Sequence, residues 1–154
     1  MAGRDNEGLA DPKLARRIRP GAVFTVTDAA IDFPAERLPS AGARSMHDVR
    51  FVVVVQSAVW GPTKAPITVL VVPCSASSRD RAWAWDVNIP DGTPGFDKPR
   101  VVAYTSQVQP ILKSDVVEHR GDVDPDTLRE LRARLLQLLD VSDIPDDSVD
   151  GGSP

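Results

Sequence analysis

Two runs of apolar residues dominate the middle of the chain. They cover Phe51–Val55 and Ile67–Val72, are rich in Val, and flank a loop that contains Gly and Pro. Runs this short with such boundaries predict strands that are buried on both faces. If the two strands pair as antiparallel neighbours, the start of the first lies beside the end of the second. Arg50 and Ser75 would then lie at the same edge of the sheet.

The pattern predicts further strands on either side of this pair. Ala22–Thr27 alternates apolar and polar residues after a Pro-Gly turn signal. Alternate positions from 83 to 89 are apolar, which predicts a strand with one apolar face. Its side chains Trp83 and Trp85 fit a core most readily, although on an exposed edge they would form a stacking platform for bases. We also expect a strand over 100–107, a turn-like stretch over 108–115 and a short strand over 116–119.

The last element has the clearest helical signals. Asp124 occupies an N-cap position and Pro125 the first helical position. The leucines that follow recur at helical spacing, namely Leu128, Leu131, Leu135, Leu138 and Leu139. We therefore expect a mainly β fold of the α+β kind, an SH3-like curled sheet or barrel with a C-terminal amphipathic helix. Residues 1–18 would form a flexible arm, 19–141 the domain, and 142–154 an acidic disordered tail.

A long connection between the first two strands is the least regular part of the expected domain. Residues 28–49 contain Pro34, Pro39 and Gly42 with scattered charges. Connections of this length are uncommon in compact domains and are often functional. His47 beside Asp48 suggests acid–base chemistry, although an exposed imidazole on a loop is the better interpretation.

Composition excludes several classes of function. The chain of 154 residues has a net charge of −4, so it is not a broadly basic nucleic-acid coat. The four aspartates of residues 141–154 supply all of that net charge, and a local basic site remains allowed. No apolar run approaches a membrane span and the first residues do not resemble a signal peptide, so we expect a cytoplasmic protein. The single Cys74 lies within an apolar run and fits a buried, inert thiol, and no Cys/His cluster indicates a metal.

Several short motifs, in this order, resemble the MazF/PemK family of toxins from bacterial type II toxin–antitoxin systems. The matching stretches are RPGAVFTVT from Arg19, VRFVVVVQ from Val49, VLVVPCS from Val69, GFDKPRVV from Gly95, SQV from Ser106, and the helix start at Asp124. The resemblance covers about residues 20–141. It implies an SH3-like barrel, usually a homodimer, that cleaves single-stranded RNA without a metal or other cofactor. It also implies a cognate antitoxin, whose acidic and usually disordered segment covers the RNA groove.

The resemblance assigns the catalytic pair to Arg50 and Ser75. In such a reaction the 2′-OH of RNA attacks the adjacent phosphate and leaves a 2′,3′-cyclic phosphate. A fixed guanidinium would stabilise the charge that develops, while the hydroxyl would hydrogen-bond the phosphate or relay a proton. Further residues are expected to contact RNA, namely Gln56, Ser77, Gln107, Gln109, Arg44 and His47.

The chain also departs from the family pattern, which keeps two alternatives open. Phe51 follows Arg50 where the family usually has Pro, Ser106 replaces a frequent acid, and Gln109 replaces a frequent Arg. Gyrase-directed toxins are similar in fold and grip a protein target, so a binding module that does not cut RNA is the alternative function. In a purely structural role, Arg50 would anchor a strand end against an acid such as Asp48.

Overall fold

The computed structural model of the chain describes residues 11–32, 48–57, 67–76 and 84–140. Nine helices and strands lie in this part of the chain, together with three short 3-10 turns. In chain order they are α1 (Pro12–Ala15), β1 (Ala22–Thr27), β2 (Val49–Val54), β3 (Thr68–Ser75), β4 (Val87–Asn88), β5 (Val102–Ala103), β6 (Gln109–Leu112), β7 (Val116–Asp122) and α2 (Pro125–Leu138). The 3-10 turns are Asp28–Ala30, Thr105–Gln107 and Lys113–Asp115.

The strands form one antiparallel sheet in the order β4-β5-β3-β2-β1-β7, with β6 also paired to β3. The two central strands β2 and β3 pair with Phe51 opposite Cys74 and Val54 opposite Val71. The first half of β3 pairs with β6 and its last residues pair with β5, so this strand serves two partners along one edge. The described strands make a curled sheet that does not close, with the C-terminal helix packed against it, as the sequence predicts in outline.

Both faces of the sheet are buried, as the two Val-rich runs predict. Val53, Val72 and Cys74 lie in one apolar cluster, on the face that α2 covers. Val52 and Val54 lie in a second cluster on the opposite face, together with residues such as Phe24 and Ile31. Alternation along a strand sends successive side chains to opposite faces, so each Val-rich strand contributes to both cores.

The helix α2 begins as predicted and buries only part of its leucine stripe. The Asp124 side chain caps it by accepting a hydrogen bond from the Thr127 backbone N–H at 2.9 Å. Leu131 is 0% exposed, and Leu128 and Leu135 pack against the same cluster. Leu139 is 72% exposed, however, so the end of the predicted apolar face extends beyond the sheet.

Several predicted strand limits are wrong. The strand expected over 83–89 is only Val87–Asn88, and Trp85 lies in a turn with 40% of its surface exposed. The strand expected over 100–107 is Val102–Ala103 followed by a 3-10 turn. The turn-like stretch 108–115 contains β6, and the short strand expected over 116–119 runs on to Asp122. Trp83 lies outside the described residues.

The expected flexible arm is partly ordered. Residues 12–15 form α1, whose N-terminus is capped by Asp11 through a bond from the Lys13 N–H. Leu14 and Ile18 pack against the cluster that contains Phe24. The two apolar side chains were too few to show a period, which is why the pattern did not predict this packing. No helix in the described part of the chain is long and apolar enough to cross a membrane.

Candidate functional site

Arg50 and Ser75 occupy facing positions on the two central strands. The antiparallel register places Phe51 opposite Cys74, and continuing it by one residue brings Arg50 opposite Ser75. Alternation places both side chains on the face to which Val52 and Val54 belong, away from Phe51 and Cys74. Facing residues of an antiparallel pair have Cβ atoms about 5 Å apart. A cation and a hydroxyl are therefore neighbours at one rim of the sheet.

Arg50 is held by a carboxylate that is not among the residues predicted from the sequence. Arg50 Nε donates a hydrogen bond to Asp28 Oδ1 at 2.5 Å, and the side chains are 13% and 5% exposed. Asp28 comes directly after β1, whose Val26 lies opposite Arg50. The neighbour suggested from the sequence was Asp48, which is adjacent in the chain, whereas the structure supplies a partner from the neighbouring strand. A signal for Asp28 existed in its position directly after a predicted strand.

An open pocket of about 160 Å³ lies at the same rim. Its lining is Val49, Arg50, Phe51, Cys74, Ser75, Ala76, Phe96, Asp97, Lys98 and Val101. Arg50 and Ser75 belong to this lining, while strand alternation points their side chains to the other face of the sheet from Phe51 and Cys74. The rings of Phe51 and Phe96 are 5.5 Å apart and make one apolar wall. The pocket therefore has an apolar wall and lies at the strand ends that carry Arg50 and Ser75.

Lys98 is a second cation at this pocket, and it is carried by a firmly attached loop. Its neighbour Asp97 accepts a bond of 2.7 Å from Arg120, which also contacts Glu118 at 3.2 Å. These carboxylates, led by the hydrogen bond to Glu118, raise the pKa of Arg120. A Cβ on Gly121 would lie 2.9 Å from the Pro94 carbonyl oxygen, so only glycine allows this close approach. The loop that carries Lys98 is thus fixed against β7.

Comparison with known proteins identifies the family. A family model described as "PemK-like, MazF-like toxin of type II toxin-antitoxin system" matches residues 31–139. The chain belongs to the PemK/MazF toxin family. No curated protein sequence matches it.

Solved structures show that the fold is that of MazF toxins. An endoribonuclease from a mycobacterial species, solved in complex with its cognate antitoxin, has a TM-score of 0.58 at 12% identity, over 82% of this chain and 98% of that one. Mycobacterium tuberculosis toxin MazF-mt6 has a TM-score of 0.56 at 16% identity, over 77% of this chain and 96% of that one. MazF from Deinococcus radiodurans has a TM-score of 0.56 at 17% identity, over 79% of this chain and 96% of that one. The resemblance inferred from the motifs is confirmed.

The toxin does not bring Gln56 to the candidate site. Gln56 Oε1 accepts a hydrogen bond of 3.0 Å from the Leu70 backbone N–H. Arg50 is the second residue of β2 and Gln56 lies two residues beyond its end, so about 20 Å of extended chain separates the two residues. In this position the amide supports the beginning of β3.

Gln107 and Gln109 lie near the strand that carries Ser75 but away from its end. Gln109 is opposite Val71, about 13 Å along β3 from Ser75. Its amide bonds the Asp32 backbone in both directions, with Asp32 N–H to Oε1 at 2.9 Å and Nε2–H to the Asp32 carbonyl at 3.1 Å. Gln107 is half-buried, and its amide contacts the Ser106 hydroxyl at 3.4 Å.

The remaining expected RNA contacts, Arg44, His47 and Ser77, lie outside the described residues. Cys74 is buried, its thiol donates to the Val72 carbonyl, and burial raises the pKa of that thiol far above its ordinary value. Such a thiol is not a nucleophile at neutral pH. Within the described ranges, no three His, Cys, Asp or Glu side chains are grouped so as to hold a metal ion.

Proposed function

We propose that this toxin is an endoribonuclease that cleaves single-stranded RNA without a metal, using Arg50 and Ser75. The observation that carries the proposal is their facing position on β2 and β3, at the edge of an open pocket. The bond to Asp28 limits how the guanidinium can turn. A solved relative of the same fold is described as an endoribonuclease.

The reaction needs little from the protein because RNA supplies the nucleophile. The 2′-oxygen forms a bond to phosphorus and loses its proton, the bond from phosphorus to the 5′-oxygen breaks, and that oxygen gains a proton. The products are a 2′,3′-cyclic phosphate and a 5′-hydroxyl. Arg50 stabilises the negative charge that grows on the phosphoryl oxygens in the transition state. Ser75 donates a hydrogen bond to the same phosphate, since a hydroxyl is a poor base at neutral pH.

Lys98 supplies a second phosphate contact beside this pair. It lines the same pocket as Arg50 and Ser75, and Asp97 next to it is already bonded to Arg120. The toxin as a whole is acidic, so RNA binding depends on such a local cluster of cations. Binding should weaken as salt rises, in proportion to the few phosphates that are contacted.

The two proposed protein partners would bind different surfaces of the toxin. A cognate antitoxin would place an acidic segment over the cations of the RNA site and compete with phosphate. A second copy of the toxin is expected on the exposed apolar side chains of β3 and β6, where Leu70 and Leu112 share a face. With single-stranded RNA as the proposed substrate, the cytoplasm is the proposed location.

The test is RNA cleavage by the purified toxin in EDTA. We expect fragments with 2′,3′-cyclic phosphate ends, and a loss of rate of about 10²–10³ in Arg50→Ala, typical of removing one transition-state donor. Arg50→Lys keeps the charge but not the planar donor set, and should lose most of the activity. Arg129→Ala, on the exposed face of α2, is the matched control. Cleavage by Arg50→Ala at the parental rate would refute the assignment.

A binding module that does not cut RNA is the second candidate. The observation that favours it is that a buried carboxylate already faces Arg50, and that the amide replacing a frequent family arginine at Gln109 bonds the backbone. Both features reduce the positive charge offered to a phosphate. Intact RNA, together with growth inhibition that survives Arg50→Ala, would support this second function.

A further inference from the structure

The segment that follows β1 is held at three points. Its first residue, Asp28, accepts the hydrogen bond from Arg50. Ile31 is fully buried in the cluster that contains Phe24 and Val52. The backbone of Asp32 is bonded in both directions by the side-chain amide of Gln109. The segment therefore links Asp28, the carboxylate that pairs with Arg50, to the side-chain amide of Gln109 on a different strand.

The amide of Gln109 acts on this segment as the backbone of a neighbouring strand would. It accepts from the Asp32 N–H at 2.9 Å and donates to the Asp32 carbonyl at 3.1 Å. A further bond of 3.0 Å from Nε2 to the Gln107 carbonyl fixes the orientation of the amide. Gln109 itself lies in β6, which is paired to the central strand β3. The amide of Gln109 therefore fixes the segment relative to the sheet.

We propose that Gln109 is a positioning residue for Arg50, acting through the Asp28–Asp32 segment that presents the Asp28 carboxylate to the guanidinium. The proposal rests on the proposed function, because it assigns to Gln109 a share in orienting the group that acts on RNA. It replaces the expectation that Gln109 contacts RNA. An RNA contact would have to compete with bonds that already use both ends of the amide.

The test compares two substitutions with different hydrogen-bonding capacity. Gln109→Leu has similar size and removes all three bonds. Gln109→Glu keeps an acceptor for the Asp32 N–H and loses both donated bonds. Gln137→Leu, on the exposed end of α2, is the control for the same chemical change. Cleavage of a single-stranded RNA oligonucleotide gives kcat and KM, and ¹⁵N NMR follows the Nε–H signal of Arg50.

We expect kcat to fall about tenfold or more in Gln109→Leu, because small misplacements of a catalytic group are costly. KM should change little, since the amide does not touch RNA in this proposal. The kcat of Gln109→Glu should lie between those of Gln109→Leu and the parent. The Arg50 Nε–H should exchange faster with solvent in Gln109→Leu, while Gln137→Leu should match the parent in both measurements.

A double variant asks whether the effect passes through Asp28. If it does, Gln109→Leu should have little further effect on kcat once Asp28→Ala has removed the carboxylate. Independent effects that multiply would show that Gln109 acts by another route. The NMR measurement on the single variant decides the structural coupling even where the double variant unfolds.

Two further results would overturn the proposal. A rise in KM with unchanged kcat and a weaker salt dependence would make Gln109 an RNA contact. An unchanged Arg50 Nε–H signal in Gln109→Leu would show that the amide does not hold the guanidinium. Failure of the proposed function looks different, because then Arg50→Ala cleaves RNA at the parental rate or the parent does not cleave it.

Discussion

At the scale of single residues, the buried pair Arg50–Asp28 fixes the orientation of the arginine that we propose as catalytic. Removing two charges from water costs several kcal/mol for each ion, and a bonded pair regains part of that cost. Such a pair adds little net stability, so its value lies in orientation. A guanidinium held through Nε presents its other donors in one direction. This matches what an electrostatic catalyst needs, a donor set that is fixed before the charge develops.

Removing the carboxylate should destabilise the protein more than removing both charges. We expect Asp28→Ala to lower the free energy of unfolding by about 3 kcal/mol, because it leaves the guanidinium in a buried site without this partner. Asp28→Ala combined with Arg50→Met should cost less than Asp28→Ala alone, since no charge then remains to be solvated. Urea unfolding at constant m-value measures both. A double variant less stable than Asp28→Ala would contradict this account.

The sequence identifies one half of this site and misses the other. The facing position of Arg50 and Ser75 follows from the antiparallel pairing of two short apolar runs, and their assignment as a catalytic pair follows from the family resemblance. The sequence marks Asp28 only as the residue after a predicted strand, because its contact with Arg50 depends on which strands are neighbours. The position of Lys98 depends on how a loop returns to the rim of the sheet, and no local pattern predicts it. The family resemblance predicts that Gln109 contacts RNA, and its bonds to the Asp32 backbone, 77 residues away in the chain, follow from no local pattern.

At the scale of elements, the sheet was predictable where strands are buried on both faces and not where they are short. β2 and β3 combine strong β propensity with continuous apolar residues, so pattern and structure agree. β4 and β5 are each two residues long, and pairing with neighbours rather than their own sequence defines them. β6 contains Pro110, which reads as a turn, yet it pairs with β3. Proline is tolerated on an edge strand, where its missing donor faces no partner.

The helix α2 offers a direct measure of how much its leucine stripe contributes. Leu131 is fully buried against the sheet, whereas Leu139 is mostly exposed. We expect Leu131→Ala to lower the free energy of unfolding by about 2–5 kcal/mol, from lost burial and the cavity left behind. Leu139→Ala should change it by less than about 0.5 kcal/mol, as exposed sites usually do. Chemical denaturation measures both, and equal losses would place the helix on the sheet by another face.

At the scale of the whole molecule, the residues just before β1 are bonded to residues at the end of β7. The Gly21 carbonyl accepts from the Val123 N–H at 2.9 Å, which joins the start of β1 to the residue after β7. Beside this bond, Arg19 contacts Asp122 at 2.8 Å. These contacts bring the approach to the first strand and the start of α2 together. Residues about a hundred positions apart in the chain are thereby brought into contact, which no local sequence pattern predicts.

The Arg19–Asp122 contact should make stability depend on pH in the acid range. The hydrogen bond from Arg19 is the largest cause that lowers the pKa of Asp122, and His119 adds to it. Because the folded pKa lies below the unfolded value of about 3.9, the contribution is complete above that value and is lost as pH falls through the folded pKa. Asp122→Asn should therefore lower Tm at pH 7 and converge with the parent under acid conditions. Thermal unfolding from pH 7 to pH 2.5 measures this, with Asp140→Asn as the control, and a constant difference in Tm would show that Asp122 acts by packing and not by charge.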